Sequence, residues 1–353
     1  TFVSDDGFGN ITTGRSDQEY FVQRNQTKLK RTRSLTDTVN LNGSLSHSES
    51  FVDYEYDALI GLMTLAVGYG TNDSVDQYGN VTTGENIQDY DLDVIEDTGQ
   101  AKVKTNWSVS TTRNLDGSTS VQETTVTNVY EESAPGDFTG RLLSASGAGT
   151  SESNDGYDNI TNSVISQVFA ILAGQTKMIS SATTSTTVNW DLTTSTQKLV
   201  VTYNFDVNGY LLGALGQGRT LSSDGYSGST AGELTQEYEV VNGQAVVVRS
   251  VQATWTTDNT FEIDPASPAE SAQGGSYASP LTSLDGSWNR QITTTYFDYN
   301  ALGELVAADG NGIGLANDGF GNYTASETDM EYSIIRGQSK VSRSTNCLLY
   351  TSD

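Results

Sequence analysis

The side chains able to do chemistry in this chain are few in kind and unevenly placed. Acidic residues outnumber basic ones 44 to 18, with a net charge of -26, one histidine and one cysteine. Nucleophilic catalysis needs a nucleophile held beside a base. His47 lies in Ser46-His47-Ser48-Glu49, a polar stretch with no counterpart elsewhere, and reads as an exposed strand residue. Cys347 stands alone, so no disulfide closes within the chain. There is no His-Glu-x-x-His pair, phosphate-cradling glycine loop or Cys/His cluster. Carboxylates remain, and a pair of them could hydrolyse a glycosidic bond. Yet Asp6, Asp76, Asp155, Asp224 and Asp318 are copies of one another, each followed by Gly or Gln and then an aromatic residue. An active site needs one place that differs, whereas an aspartate at a fixed point in a turn bonds its own backbone.

Calcium is the sharper chemistry. Asp309-Gly310-Asn311-Gly312-Ile313-Gly314, followed by Asn317-Asp318-Gly319, concentrates carboxylate, amide and carbonyl oxygens, which are hard ligands. Asp309, Asn311 and Asp318 are the expected Ca2+ ligands; no other cofactor and no catalytic residue is expected. The stretch has neither the terminal glutamate nor the helices of a helix–loop–helix site, and no nonapeptide phasing.

The elements that must position these residues are set by a repeat. Gly61-Leu-Met-Thr-Leu-Ala-Val-Gly-Tyr-Gly70 returns as Gly140 to Gly149, Gly209 to Gly218 and Gly303 to Gly312, always as G-x-[LM]-x-x-A-x-G-x-G. Over the ten residues beyond each block the register holds, through to an Asp-(Gly/Gln)-aromatic signature that begins six residues past the block, and a fifth copy at Asp6 opens the chain in mid-repeat. Phased self-similarity of this kind marks a repeat architecture. Before each block stands an aromatic pair closed by Asp or Asn: Tyr54 and Tyr56 with Asp57, Tyr203 and Phe205 with Asp206, Phe297 and Tyr299 with Asn300. Residues two apart share a strand face, and the following Asp or Asn starts a turn. Turns at Gly99, Gly174, Gly243 and Gly337, each followed by Gln, come after the signatures, with Asn25-Gln26 in the first copy. Asn242-Gly243 between β-branched runs is a strong hairpin signal. A further turn follows at Leu115-Asp116-Gly117-Ser118 and Leu284-Asp285-Gly286-Ser287.

Each repeat is therefore about four strands joined by tight turns. The segment 164–173 comes nearest to a helical period, but its counterparts are strands and it is read as one. The paired glycines of the block suggest a bulge or a neighbour too close for a Cβ. Copies of the block, led by Gly61, Gly140, Gly209 and Gly303, are expected to be adjacent in space. Trp107, Trp190 and Trp255, at comparable places, read as stacked core. The insertion Asp258 to Leu284, with Pro265, Pro268 and Pro280, reads as an exposed excursion. The predicted divisions are 1–52 (partial repeat), 53–130, 131–202, 203–295 (carrying the inserted loop 258–284), 296–346 (partial repeat) and a tail 347–353. That tail, Cys347 to Asp353, resembles translated adapter sequence from environmental sequencing, which implies a non-native cysteine and a fragment of a longer protein.

Composition bounds the partners. A hydrophobic fraction of 35 %, only 18 % charged residues and 35 glycines fit β-structure with a thin core, since Val, Ile, Thr, Tyr and Phe recur in phased runs. The acidic surface repels nucleic acid and anionic membranes, and no run reaches 18 apolar residues. Arg24, Lys28, Lys30, Arg31 and Arg33 form the one basic cluster, read as a solvated strand. Six Asn-x-Thr/Ser triplets, at Asn10, Asn25, Asn80, Asn106, Asn159 and Asn322, fall at or near turns.

Tyr203-Asn-Phe-Asp-Val-Asn-Gly-Tyr-Leu211 resembles the tyrosine–aspartate signature of RHS-type repeats, with variants at Phe297 to Leu305 and Tyr54 to Leu62. The resemblance implies a large bacterial surface or secreted protein whose hairpins wind into a shell, in some members around a toxin. Here the motif comes once per four-strand repeat, against about every twenty residues in that family. The expectation is an all-β, elongated stack or solenoid of antiparallel β-hairpins. Its expected role is a non-enzymatic structural or adhesive region of an extracellular or cell-surface bacterial protein. Its partners would be further repeats of the same longer chain and a surface polysaccharide or protein receptor. The alternatives are a carbohydrate-active β-solenoid and a toxin-enclosing shell.

Overall fold

The computed structural model describes residues 1–5, 10–131, 140–226, 228–241, 243–258, 274–301, 303–335 and 338–351. Asp6, Asn242, Pro265, Pro268 and Gly337 therefore lie outside the described residues. The chain is all-β, built of antiparallel hairpins with four strands to the repeat. Strands carrying the glycine block are β5 (Met63–Val75), β9 (Leu142–Asn154), β13 (Leu211–Ser223) and β17 (Leu305–Asn317), and β1 (Phe2–Asp5) holds only the end of the corresponding strand, beyond the block. After the aspartate signature come β2 (Ile11–Gln23), β6 (Val81–Tyr90), β10 (Ile160–Leu172), β14 (Ser229–Val241) and β18 (Tyr323–Ile335). The third place is held by β3 (Gln26–Val39), β7 (Val103–Arg113), β11 (Gln175–Val188), β15 (Gln244–Thr257) and β19 (Gln338–Thr351). The fourth is held by β4 (Leu45–Tyr56), β8 (Thr119–Tyr130), β12 (Thr194–Phe205) and β16 (Trp288–Tyr299). Residues 164–173 belong almost entirely to β10, as the repeat register requires. The tail from Cys347 continues β19 as far as Thr351, paired to β18, and Cys347 is exposed.

Two compact units divide the chain, residues 1–176 and 177–353, the division falling inside β11. In the first, β1 to β10 pair strictly in sequence order. In the second, β11 to β19 do the same. Each is a meander, and this corrects the expected adjacency of the glycine blocks. β5 and β9 are four strands apart in the first unit, and β13 and β17 in the second, or roughly 19 Å at ordinary strand spacing. Coil-on-coil stacking would have paired copy with copy; a meander pairs each strand with the next in sequence.

A meander turns at alternate ends, so each unit has two rims of turns. At the first rim lie the signature turns (β5–β6, β9–β10, β13–β14, β17–β18) and the turns between third and fourth strands. At the second rim lie the Gly-Gln turns and the turns that follow the aromatic pairs. Among the described residues, the bulges lie at the second rim. They fall at Tyr20, Tyr56, Tyr90 and Tyr130 in the first unit. In the second unit they fall at Phe205, Tyr238, Tyr299 and Tyr332. Each recruits an aromatic ring, and each strengthens the local twist of its hairpin.

The glycines of the block are explained by close approach, not by a bulge of their own. A Cβ on Gly218 would stand 2.6 Å from the carbonyl oxygen of Lys198, and one on Gly149 would stand 2.5 Å from that of Glu123. The glycine two residues earlier makes room for a side chain of the next strand, with Gln88 over Gly68 and Gln236 over Gly216. The tyrosine beyond each glutamine donates its hydroxyl back to it, Tyr238 to Gln236 Oε1 at 2.9 Å and Tyr20 to Gln18 Oε1 at 2.7 Å. Tyr56 and Tyr130 instead donate to the carbonyls of Leu29 (2.9 Å) and Val103 (2.7 Å).

Among the described residues little is buried: Ala66, Val94, Ile95 and Ala145 in the first unit, and Val201, Ala231 and Trp255 in the second, are the buried apolar residues. Val94 and Ile95 belong to a helix, α1 (Leu92–Thr98), which packs on β5. It occupies the place where the other repeats turn sharply, because the spacer before Gly99 is longer than those before Gly174 and Gly243. Asp91 caps its start, accepting from the amides of Asp93 and Val94, and Gly99 ends it at φ 69°. No helix among the described residues is long and apolar enough to cross a membrane.

Candidate functional site at the first rim

At the first rim lie the described signature acids, the exposed rings of Tyr157, Trp190, Tyr226 and Phe320, and the described part of the inserted segment; Tyr20 and Tyr210 are exposed at the second rim. In each of the four described signature turns the aspartate is spent on its own loop. Asp76 Oδ1 accepts from the amides of Tyr78 (2.8 Å) and Asn80 (2.9 Å), and Oδ2 from Asn80 Nδ2 (2.7 Å). Asp155 and Asp318 repeat the pattern with Tyr157 and Asn159, and with Phe320 and Asn322. Asp224 accepts from the amides of Tyr226 and Gly228. The Asn159 side-chain amide, then the backbone amides, hold the Asp155 carboxyl below the usual carboxylate range, and Asn322 does the same for Asp318. These are turn caps, as the repetition predicted.

Neighbouring turns are tied together. Asn80, which gives Nδ2 to Asp76, accepts at Oδ1 from the amide of Leu115 in the next first-rim turn (3.0 Å), and Asn10 accepts from Leu41 likewise. A Cβ on Gly79 would meet Leu115, and one on Gly156 would meet the backbone of Asp116 to Ser118. In the second unit Gly225 lies against Leu192, and Gly319 against Asp285 to Ser287. The first-rim turns are thus tied to a neighbour in pairs, with the turn of Leu115 to Ser118 meeting a signature turn on either side.

The expected calcium ligands are not brought together. Asp309 and Asn311 lie on β17 opposite Glu331 and Asp329 of β18, toward the second rim, while Asp318 follows the far end of that strand. At the rise of a β-strand, Asp309 and Asp318 are separated by about 30 Å. Among the described residues no three His, Cys, Asp or Glu side chains form a group able to hold a metal ion. His47 faces Asp37 across the β3–β4 pair (2.7 Å), and this hydrogen bond raises its pKa. The basic cluster is engaged locally: Arg31 forks onto Asp53, Arg33 pairs with Glu49, and both guanidinium groups flank the Phe51 ring.

Two features of the rim correct the sequence reading. Trp190 is not core but 77 % exposed, because it falls inside the turn Asn189 to Thr193 instead of on a strand. Trp107 is half-buried and donates Nε1 to Glu123 (2.6 Å), so only Trp255, 2 % exposed, fits the expectation. The inserted segment is likewise no simple excursion. Where it is described, it folds back over β14, β15 and β16: Gly274 O accepts from Trp255 Nε1 (3.2 Å) and Thr257 Oγ1 (2.7 Å), and Leu281 N donates to Thr256 O. Arg290 reaches the carbonyls of Tyr277 and Ala278, lying over the rings of Tyr277 and Trp288. Sequence periodicity carries no signal for this closure, since its partners are distant in the chain.

The remaining property of the rim is its exposed apolar side chains. Leu41, Tyr78, Leu115 and Tyr157 project from successive turns of the first unit. Trp190, Tyr226, Leu284 and Phe320 do so in the second. No protein-family model matches the chain, and no curated protein or solved structure matches it either.

Proposed function

We propose that this chain is a non-enzymatic structural or adhesive repeat region of a large extracellular or cell-surface bacterial protein. The observation that carries the reading is that the repeated acids are consumed by the turns that hold them, so abundance of carboxylates does not translate into a reactive pair. The absence of a substantial core supports it too: strands that bury one another's faces only lightly depend on their neighbours for stability, as repeat scaffolds do. The RHS-like signature falls at second-rim turns capped by Asp57, Asp206 and Asn300, which supports a kindred hairpin scaffold at a bacterial surface.

The reading is tested on chains of one, two and three four-strand repeats, with the complete chain as reference. A structural repeat region gains thermal stability with each added repeat and releases no product from polysaccharide, peptide or ester substrates. Turnover of any of these, abolished by replacing one non-repeated acid, overturns it.

A further inference from the structure

Between the first-rim turns and the bulges, the charged residues of the strands lie on one face of the sheet. Side chains alternate between faces along a strand, and register carries each face from one strand to the next. Across β2 to β10, the row level with Arg15 includes Glu49, Glu85 and Glu123, and the row level with Thr13 includes Asp37, His47 and Asp73. The rows of Asp17 and Glu19 share this face. The alternate rows, level with Thr12, Gly14, Ser16 and Gln18, hold no Asp, Glu, Lys, Arg or His on any of the nine strands. The second unit divides in the same way, with Lys198, Arg219 and Glu233 on one face and the rows of Gly216, Gly218 and Thr220 uncharged.

The neutral face of the first unit is also level. Every residue in the row of Thr12 is Ser or Thr, and hydroxyls on this face bond to one another: Thr12 with Thr38 (3.0 Å), Thr82 with Thr112 (2.9 Å), Ser108 with Thr124 (2.8 Å). The longer amides lie over glycines of the next strand, Asn86 over Gly70, Asn72 over Gly84 and Gln88 over Gly68, so they fill gaps instead of projecting. Among the described residues the strands pack on their sheet neighbours alone, and no second layer of strands lies over this face. Ser16, Gln18, Ser48, Ser50 and Gln122 on it are exposed.

We propose that two copies of this chain pack face to face through the neutral face of the first unit. Nine strands span about 43 Å and the seven residues from Thr12 to Gln18 about 23 Å, giving on the order of 1,000 Å2 per copy. A stable interface needs about 800 Å2 from each partner. Charge selects both the occupant and the side. With a charge of -26 on each copy, contact through the other face would bury carboxylates against carboxylates. The neutral face leaves them outside, and a second copy brings an identical neutral face to meet it, as a two-fold interface requires. Interface centres are likewise depleted of charge. Hydroxyls already bonded to one another lose little on leaving water, and Val52, Val126 and Ile165 add apolar contact among them. The pair forms a sandwich with its sheets about 10 Å apart.

The test is sedimentation equilibrium of the 353-residue chain, in reductant so that Cys347 forms no disulfide. A species of twice 37.8 kDa is expected, and added salt should tighten it, because salt screens the repulsion between acidic copies while the interface holds no ion pair. Gln18→Glu, Ser48→Glu and Gln122→Glu together are expected to weaken association by about tenfold or more. Thr13→Glu, Thr83→Glu and Thr150→Glu add the same charge to the opposite face and are expected to weaken it by less than about threefold. Circular dichroism and the melting temperature establish that both triple variants are folded. Should the first not be, the isosteric Gln122→Glu alone is used, and a loss of at least about threefold is expected. A monomer at every concentration and salt overturns the proposal, whatever else the face binds. So does association that salt dissolves, that neither triple variant weakens, or that both weaken alike. The inference goes beyond the repeat-region reading, which stands on stability per repeat and lack of turnover and survives each of these outcomes.

Discussion

The two rims of each unit use the same residues to opposite ends. At the second rim every registered hairpin carries a bulge, and every bulge sits at an aromatic residue. There Tyr56, Tyr130 and Tyr238 are half-buried, with hydroxyls given to a backbone carbonyl or a neighbouring glutamine. At the first rim the hairpins are unbulged, aspartates close the turns, and Tyr157, Tyr226 and Phe320 stand in solvent, as Tyr20 and Tyr210 do at the second rim, where no glycine makes room for them. A thin sheet has no interior in which to hide aromatic side chains, so the difference lies in whether a glycine opposite makes room. Where Gly68 or Gly216 faces the next strand, the ring and its glutamine settle over it. Where no such vacancy exists, the ring projects.

The largest effect is expected where the first rim departs from this rule, under the inserted segment. Trp255→Ala should cost about 3–5 kcal/mol in urea denaturation, because Trp255 is the largest fully buried side chain among the described residues and anchors Gly274 through its indole nitrogen. A loss no larger than that of an exposed residue would mean that the segment does not close over the sheet. Next come the glycines that admit the backbone of the preceding strand. Gly218→Ala and Gly149→Ala should each cost about 1–3 kcal/mol, whereas Gly213→Ala, with open space around its missing Cβ, should cost nothing measurable in the same melts. Equal losses at all three would sink the close-approach account.

A smaller contrast isolates the tyrosines themselves. Tyr130→Phe should lose about 0.5–1.5 kcal/mol with its hydrogen bond to Val103, while Tyr157→Phe on the first rim should change thermal stability by less than about 0.5 kcal/mol. The gentlest probe is pH. Burial raises the pKa of Tyr56, Tyr90, Tyr130, Tyr238 and Tyr299, all on the second rim. Their contribution is complete below the ordinary tyrosine value and is lost as pH rises through the raised ones. The turn aspartates are shifted the other way, on both rims, with Asp57 and Asp206 joining Asp155 and Asp318. Their contribution is present above the ordinary aspartate value and fades as pH falls through the depressed ones. Alkali should therefore loosen the second rim first, while acid should loosen both. Hydrogen exchange of second-rim amides at high pH, compared with first-rim amides, reads the difference.

Much of the architecture was legible in the residues because it repeats. Five copies of the signature fixed the phase, and four turns per copy fixed the number of strands. Aspartate placement gave the turn caps, and the structure confirms them bond by bond. What escaped has physical reasons. A seven-residue helix is too short to show a period, so α1 was visible only as a longer spacer before Gly99. The closure of residues 274–281 over Trp255 depends on contacts far apart in sequence. Trp190 was misplaced by its resemblance in position to Trp255, since a shift of register by a few residues moves a ring from strand to turn. Asp309, Asn311 and Asp318 looked close because they are neighbours along the chain, yet an extended strand holds its ends apart.

Strict pairing between sequence neighbours also bears on how such a chain is made and altered. Every strand contacts partners that left the ribosome just before it or will leave just after, so within each unit no distant segment must be awaited. Low contact order favours rapid, local zippering during synthesis. For the same reason a gene can gain or lose one four-strand block, cut at equivalent turns, with only the pairing at the junction to be satisfied anew. Unequal recombination between such blocks becomes a tolerated event, and the length of the array can drift far faster than the sequence of its turns.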